Sequence, residues 1–277
     1  MKEQLQEYID DFLDYLIDIR GYSEKTILTY EIALGQMIKT SEYYKENNKN
    51  ILNIMPFRLK IASNSKKTIT KKLSAIRSFV KYLNEQRSIN IHIKGDSSIK
   101  VPQTLPKPIE EVYIDEVIAT ADIADRLIVV MLYGLGLRIS ELSGLRLDQI
   151  SSEWISITGK GNKTRQLPLL PYIQQLIKDH IDSTHPKRYL FEKNATPLNA
   201  SQLRYRVDKL FKSQGIKATP HQLRHSFATH LLNNGARISD VSKLLGHSSM
   251  ATTQIYTKLG SVKKMEEYMK AHPLAGF

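Results

Sequence analysis

Cysteine is absent from the 277-residue chain, and tryptophan occurs once. Without cysteine there can be no disulfide, no thiolate metal site and no cysteine nucleophile, and a cytoplasmic location is the expectation. No apolar run approaches the length that spans a bilayer. The longest candidate, Leu127 to Leu137, holds Tyr133 and two glycines, stops at Arg138, and reads as a buried helix. The N-terminus does not read as a secretion signal, because an acidic amphipathic segment follows Met1. A glycine-rich phosphate loop of the Walker type is missing too, so no nucleotide cofactor is expected. There is no internal repeat and no low-complexity tract.

What remains is an ordinary globular composition with an uneven charge. Hydrophobic residues make up 41% and charged residues 25%, enough for a real core in one or two domains. The net charge is +12, but residues 1–50 carry 6 basic against 10 acidic side chains, while residues 51–100 carry 11 against 2. The densest basic stretch, Arg58 to Lys81, points to a polyanion partner; a solvated basic face is the plainer reading.

Apolar spacing sets out the elements. Leu5, Ile9, Phe12, Leu13 and Leu16 form one helical stripe, closed by Gly21. Ser23 is a candidate N-cap for a second helix with Ile27, Tyr30, Leu34 and Ile38 on its face. A third spans Lys66 to Asn84, with Ile69, Leu73, Ile76, Val80 and Leu83 inward. Its cations Lys66, Lys67, Lys71, Lys72, Arg77 and Lys81 are largely elsewhere, available to phosphate oxygens. Residues 1–87 therefore read as a helical bundle with a basic face. Residues 88–108, with Pro102, Pro106 and Pro108, read as a linker. Residues 109–277 form the second domain. Helices are expected at 115–121, 124–133, 139–145, 172–181, 201–213, 219–234, 239–245, 250–256 and 262–271. Between Trp154 and Leu169 the period changes to that of two strands around Gly159-Lys160-Gly161-Asn162. The fold class expected is mainly α, in two domains, with one small β-hairpin. Lys45 to Pro56 matches no pattern.

The second domain concentrates polar residues at helix ends and turns: Arg138, Lys160, His221, Arg224, His247 and Tyr256. Each has a plain reading. Arg138 can pair with Glu141, Lys160 can be an exposed turn lysine, the histidines can be satisfied by backbone, and Tyr256 can be one more core tyrosine among 14. His221 and His225 stand at metal-ligand spacing, but the Arg224 cation between them opposes a metal, and none is expected.

The motifs GLGLRISELSGLR, ITGKGNKTRQLPL, TPHQLRHSFATHLLNNG and LLGHSSMATTQIYTK change that balance. In their order and spacing, residues 133–277 closely resemble the catalytic domain of the tyrosine recombinases, the phage integrase family, and most resemble its bacterial Xer-type members. The first domain resembles the family's helical core-binding domain more loosely. The resemblance implies that Arg138 and Arg224 form a phosphate pocket and that Lys160 is the hairpin lysine. It implies His221 and His247 as the two histidines and Tyr256 as the nucleophile, forming a 3′-phosphotyrosyl link. It also implies double-stranded DNA as partner and a homotetramer on two DNA sites, in which residues 261–277 dock on a neighbouring protomer; packing of that segment on its own domain is the alternative. A second recombinase subunit or a DNA translocase is an open further partner.

The chemistry suits these residue types. Two guanidinium groups present paired donors and fixed charge to the non-bridging oxygens. They supply what a metal would supply electrostatically, and the covalent intermediate retains the bond energy, so no cofactor is expected. A tyrosine hydroxyl with a pKa of about 10 needs a base, for which His221 is the candidate, and Lys160 is the candidate acid for the leaving 5′-hydroxyl. Chromosome dimer resolution is the expected role, with mobile-element integration as its alternative. A non-catalytic DNA-binding regulator is the alternative of another class, since Ser239 to Tyr256 also resembles a helix-turn-helix. A type IB topoisomerase would share the tyrosine chemistry.

Overall fold

The computed structural model describes residues 2–99, 107–159, 164–246 and 268–275. It divides into two units, Met1–Thr104 and Leu105–Phe277.

In the first unit, α1 (Lys2–Asp18), α2 (Glu24–Thr40) and α4 (Lys66–Gln86) pack around one core, with the short α3 (Met55–Lys60) between the last two. The stripe predicted for α1 is wholly buried. Phe12 is its centre, with ring centroids 5.6 Å from Phe79 and 5.2 Å from Tyr82. Ser65 caps α4 by accepting from the Thr68 amide at 3.2 Å. The unit also holds a sheet that the spacing did not predict. Strands β1 (Glu42–Glu46) and β2 (Lys49–Asn53) form a hairpin, and β3 (Ile91–Lys94) lies parallel to β2 on its other side. Strand β3 falls within 88–108, the stretch expected to be linker, so the first unit continues past residue 87.

The second unit follows the expected helical plan. Its elements are α5 (Glu111–Thr120), α6 (Ile123–Tyr133), α7 (Ile139–Ser143), β4 (Trp154–Thr158), β5 (Thr164–Pro168) and α8 (Pro171–Thr184). A two-residue hairpin, β6 (Glu192–Lys193) and β7 (Thr196–Pro197), precedes α9 (Ala200–Ser213), α10 (Pro220–Asn233) and α11 (Ile238–Leu245). Helix α6 is the core element: every side chain from Leu127 to Tyr133 is buried. Helices α8, α9 and α10 pack around it. Buried polar contacts fix α10: Ser226 Oγ accepts from the Ile109 amide at 2.8 Å, and Tyr133 Oη lies 2.7 Å from His230 Nδ1. No helix among the described residues is long and apolar enough to cross a membrane. The helix predicted at 250–256 lies outside the described residues, as does most of that predicted at 262–271.

Residues 268–275 pack on their own unit. Leu274 and Ala271 join its core, and the buried His272 donates from Nε2 to the Gly134 carbonyl at 2.6 Å while its Nδ1 accepts from the Leu274 amide at 3.0 Å. Removing 261–277 would therefore strip apolar side chains from the core of the second unit. Burial pulls His272 down to about 4, partly offset by the Gly134 hydrogen bond. The unfolded chain takes up this proton near pH 6.5 and the docked segment only near pH 4. Docking is thus at full strength above the higher value and weakens as pH falls toward the lower, by about 3 kcal/mol. Hydrogen exchange should show protection of 268–275 dropping roughly 100-fold across that window. His272→Gln should flatten the dependence. Equal slopes in both proteins would show that His272 is not the group responsible.

Candidate active site

Arg138 and Arg224 approach the site from two elements. Helix α6 ends at Tyr133, and the chain turns through Gly136 into α7, with Arg138 at the N-cap. Gly136 is required twice over: its φ is +59°, and a Cβ there would lie 2.6 Å from Phe227 Cδ1. That turn aims the Gly136 carbonyl at Arg224, which donates to it and to the Leu245 carbonyl. Arg224 itself is set by α10, which starts cleanly because Thr219 accepts from the Gln222 amide and Pro220 occupies the first helical position.

Both arginines converge on Glu141. Arg138 Nη1 donates to Glu141 Oε1 at 2.8 Å, and the Arg138 amide donates to Oε2 at 2.8 Å. Arg224 Nη1 lies 3.9 Å from Oε2. A third cation, Arg165 on β5, closes the cluster with bonds of 2.9 and 2.8 Å to the two carboxylate oxygens. Burial pushes the Glu141 carboxyl up, but the bonds and charge of Arg165, then those of Arg138, outweigh it and hold the group at about 2. Burial, then the neighbouring Arg138 charge, draws Arg224 down to about 10, still cationic at neutral pH. The result is a cluster of three guanidiniums on one carboxylate, with net positive charge.

Exposure separates the three. The Arg138 side chain is 36% exposed, against 10% for Arg165 and 7% for Arg224. The described hydrogen-bond partners of Arg224 are two backbone carbonyls, which leaves N–H donors of its fork for a bound oxyanion. His221 stands one turn before Arg224 on α10, exposed to solvent. Lys160, His247 and Tyr256 lie outside the described residues, although β4 and β5 form the predicted hairpin, with Ile155 opposite Leu167 and Ile157 opposite Arg165.

The role of Glu141 and Arg165 was missed. Glu141 was visible only as a partner for Arg138. Arg165 had a legible signal: it stands two residues from Leu167 on a strand, hence on the apolar face, where a charged residue calls for a buried partner.

On the first unit, Lys66, Lys67, Lys71 and Lys81 are exposed. Lys72 is half-buried and donates to Gln36 Oε1 at 2.7 Å. Arg77 makes bonds of 2.7 to 3.0 Å to Asp96, and Arg58 holds the Gly95 and Ser97 carbonyls at 2.8 and 2.7 Å. Together they clamp the segment that leaves β3.

Comparison with known proteins agrees with this architecture. The Phage integrase family matches residues 103–261, and "Phage integrase, N-terminal SAM-like domain" matches residues 9–87. The tyrosine recombinase XerA of Pyrococcus furiosus is 34% identical over 279 residues, covering 97% of this chain and 95% of that protein. The XerH site-specific recombinase bound to palindromic difH substrate, a post-cleavage complex, has a TM-score of 0.68 at 21% identity, covering 96% of this chain and 83% of that one. A lambda integrase tetramer bound to a Holliday junction gives 0.68 at 13% identity, over 91% of this chain and 78% of that one. These two structures share the fold.

Proposed function

The chain belongs to the phage integrase family and is a tyrosine recombinase that cuts and rejoins DNA, and on that premise we propose that it is an Xer-type resolver of chromosome dimers acting through a covalent link to Tyr256. Double-stranded DNA is its partner. The Tyr256 hydroxyl attacks the scissile phosphorus as its proton passes to His221. The bond to the 5′ oxygen breaks, Lys160 protonates that oxygen, and a 3′-phosphotyrosyl link remains. A 5′-hydroxyl from a second duplex then attacks the link, returns the 3′–5′ phosphodiester and releases the tyrosine. Arg138 and Arg224 hold the non-bridging oxygens throughout, and His247 adds a hydrogen bond to one of them. Four copies on two DNA sites supply the two duplexes. Lys66, Lys67, Lys71 and Lys81 contact the backbone directly, while Lys72 and Arg77 join only by giving up Gln36 and Asp96.

The observation that carries the reading is the meeting of Arg138 and Arg224 at Glu141, 2.8 and 3.9 Å from its oxygens, with donors left on Arg224. Charge preorganised in this way stabilises the added negative charge of the transition state without reorganisation at the moment of reaction. The test is to trap the adduct in the host and map the DNA attached to Tyr256. A single chromosomal locus near the replication terminus is the expected result. Adducts confined to the ends of a mobile element would replace dimer resolution with integration, and no adduct anywhere would remove the tyrosine mechanism.

A further inference from the structure

We propose that Arg165 is a positioning residue for strand cleavage: it locks Glu141, and through it Arg138, to the end of α11. The inference rests on the assignment of Arg138 and Arg224 to the scissile phosphate. Three bonds carry it. Arg165 Nη1 and Nη2 grip the two Glu141 oxygens at 2.9 and 2.8 Å, and Nε donates to the Leu244 carbonyl at 2.9 Å. The opposite edge of the same carboxylate holds the Arg138 amide and Nη1, both at 2.8 Å. Glu141 is thus a bridge with Arg165 on one side and Arg138 on the other.

The packing assigns the two sides different tasks. Arg165 is sealed, at 10% exposure, and cannot reach a substrate, whereas Arg138 is 36% exposed. Gly246 lies over Arg165, where even a Cβ would come within 3.3 Å of its Cδ and Nη1, and the Gly246 φ of +63° ends α11 at that point. The residue after Gly246 is His247. Arg165 therefore ties three parts of the site together: the hairpin strand that follows Lys160, the α7 start that bears Arg138, and the turn that leads to His247. A buried ion pair contributes little net stability over an apolar pair of the same volume, so its main consequence here is geometric. A misplacement of about 1 Å in such a site lowers rates on the order of 100-fold.

The test uses the full chain and a nicked duplex carrying the sequence that the wild-type protein selects from a random-sequence DNA pool. Two versions of the scissile linkage are compared, the natural phosphodiester and a neutral methylphosphonate. The methylphosphonate lacks one non-bridging oxygen charge and so depends less on an aligned Arg138. Arg165→Lys keeps the charge but cannot span both Glu141 oxygens and the Leu244 carbonyl. It is expected to bind DNA as the wild type does, to remain folded with a lowered melting temperature, to cleave the phosphodiester about 100-fold more slowly, and to cleave the methylphosphonate less than about 10-fold more slowly. Equal losses on both linkages, or no loss, overturn the inference. Should the lysine variant fold poorly, Glu141→Gln is compared with the Glu141→Gln, Arg165→Gln double variant, in which both buried charges of the pair are gone. In the Glu141→Gln background, adding Arg165→Gln should slow cleavage by no more than about 3-fold, because the bridge is already gone. A further 100-fold loss in that background overturns the inference. A wild-type chain that leaves no adduct overturns the assignment of Tyr256 beneath it, and this inference with it.

Discussion

Tyr256→Phe should bind its DNA site as the wild type does and leave no protein–DNA adduct on a denaturing gel. Phenylalanine keeps the ring and its packing and removes the one atom that bonds phosphorus. A covalent nucleophile has no partial substitute, so cleavage should fall by at least about 10⁴-fold, the scale on which nucleophile deletions operate. The chain has 14 tyrosines, and the structure removes one rival directly. Tyr133 is fully buried, its hydroxyl is engaged with His230, and burial pushes its ionisation up, the wrong direction for a nucleophile. Adduct persisting in Tyr256→Phe at more than a trace would assign the chemistry to another hydroxyl. Loss of binding along with cleavage would point instead to a structural role for the ring.

How far the sequence could be read differs between the two units, for physical reasons. Helix α6 is legible from its continuous apolar run, buried on every side from Leu127 to Tyr133, whereas α1, α4 and α10 advertise themselves because one face of each is buried, and that imposes a local period. The β4–β5 hairpin is legible for the same reason, since Ile155, Ile157 and Leu167 alternate with polar neighbours around a glycine turn. The sheet of the first unit gives no such signal. In β1, every residue is at least partly exposed, so no apolar alternation marks it. Its turn, Asn47-Asn48, has positive φ at both residues but no glycine to announce it. Strand β3 pairs in parallel with β2 across the whole of α3 and α4, a non-local contact that no window of sequence contains. The candidate site divides in the same way. Arg138 and Arg224 stood out through their motifs. Arg165 is one cation among many in a strongly basic chain, and its inward placement is legible only by counting two residues back from Leu167 along the predicted strand. Arg77 is the converse case: its place among the α4 cations points to DNA, but its partner Asp96 lies beyond the end of α4, in a stretch whose composition reads as linker.

Arg224→Lys should cleave roughly 100- to 1,000-fold more slowly than the wild type at saturating DNA, equivalent to about 3–4 kcal/mol of lost transition-state stabilisation. The size follows from the geometry. Two of the guanidinium's edges are already committed to the Gly136 and Leu245 carbonyls, and these bonds hold the remaining donors toward the pocket. A lysine ammonium is a single point on a flexible stem and cannot satisfy two carbonyls and an oxyanion at once. If it turns to the carbonyls, the phosphate loses its donor. If it turns to the phosphate, buried carbonyls lose theirs, at about 1–3 kcal/mol for each group left unpaired. The substitution should therefore also lower the thermal midpoint of the second unit, while DNA affinity changes by only a few fold, since the backbone contacts of the first unit do not involve Arg224. The comparison that decides the matter is rate against binding. Arg224→Lys cleaving within 10-fold of the wild type would mean that charge alone suffices and that the paired-donor grip on the phosphate is wrong. A loss of affinity as large as the loss of rate would mean that Arg224 holds the ground state and the transition state equally, and so contributes to binding rather than to the chemical step.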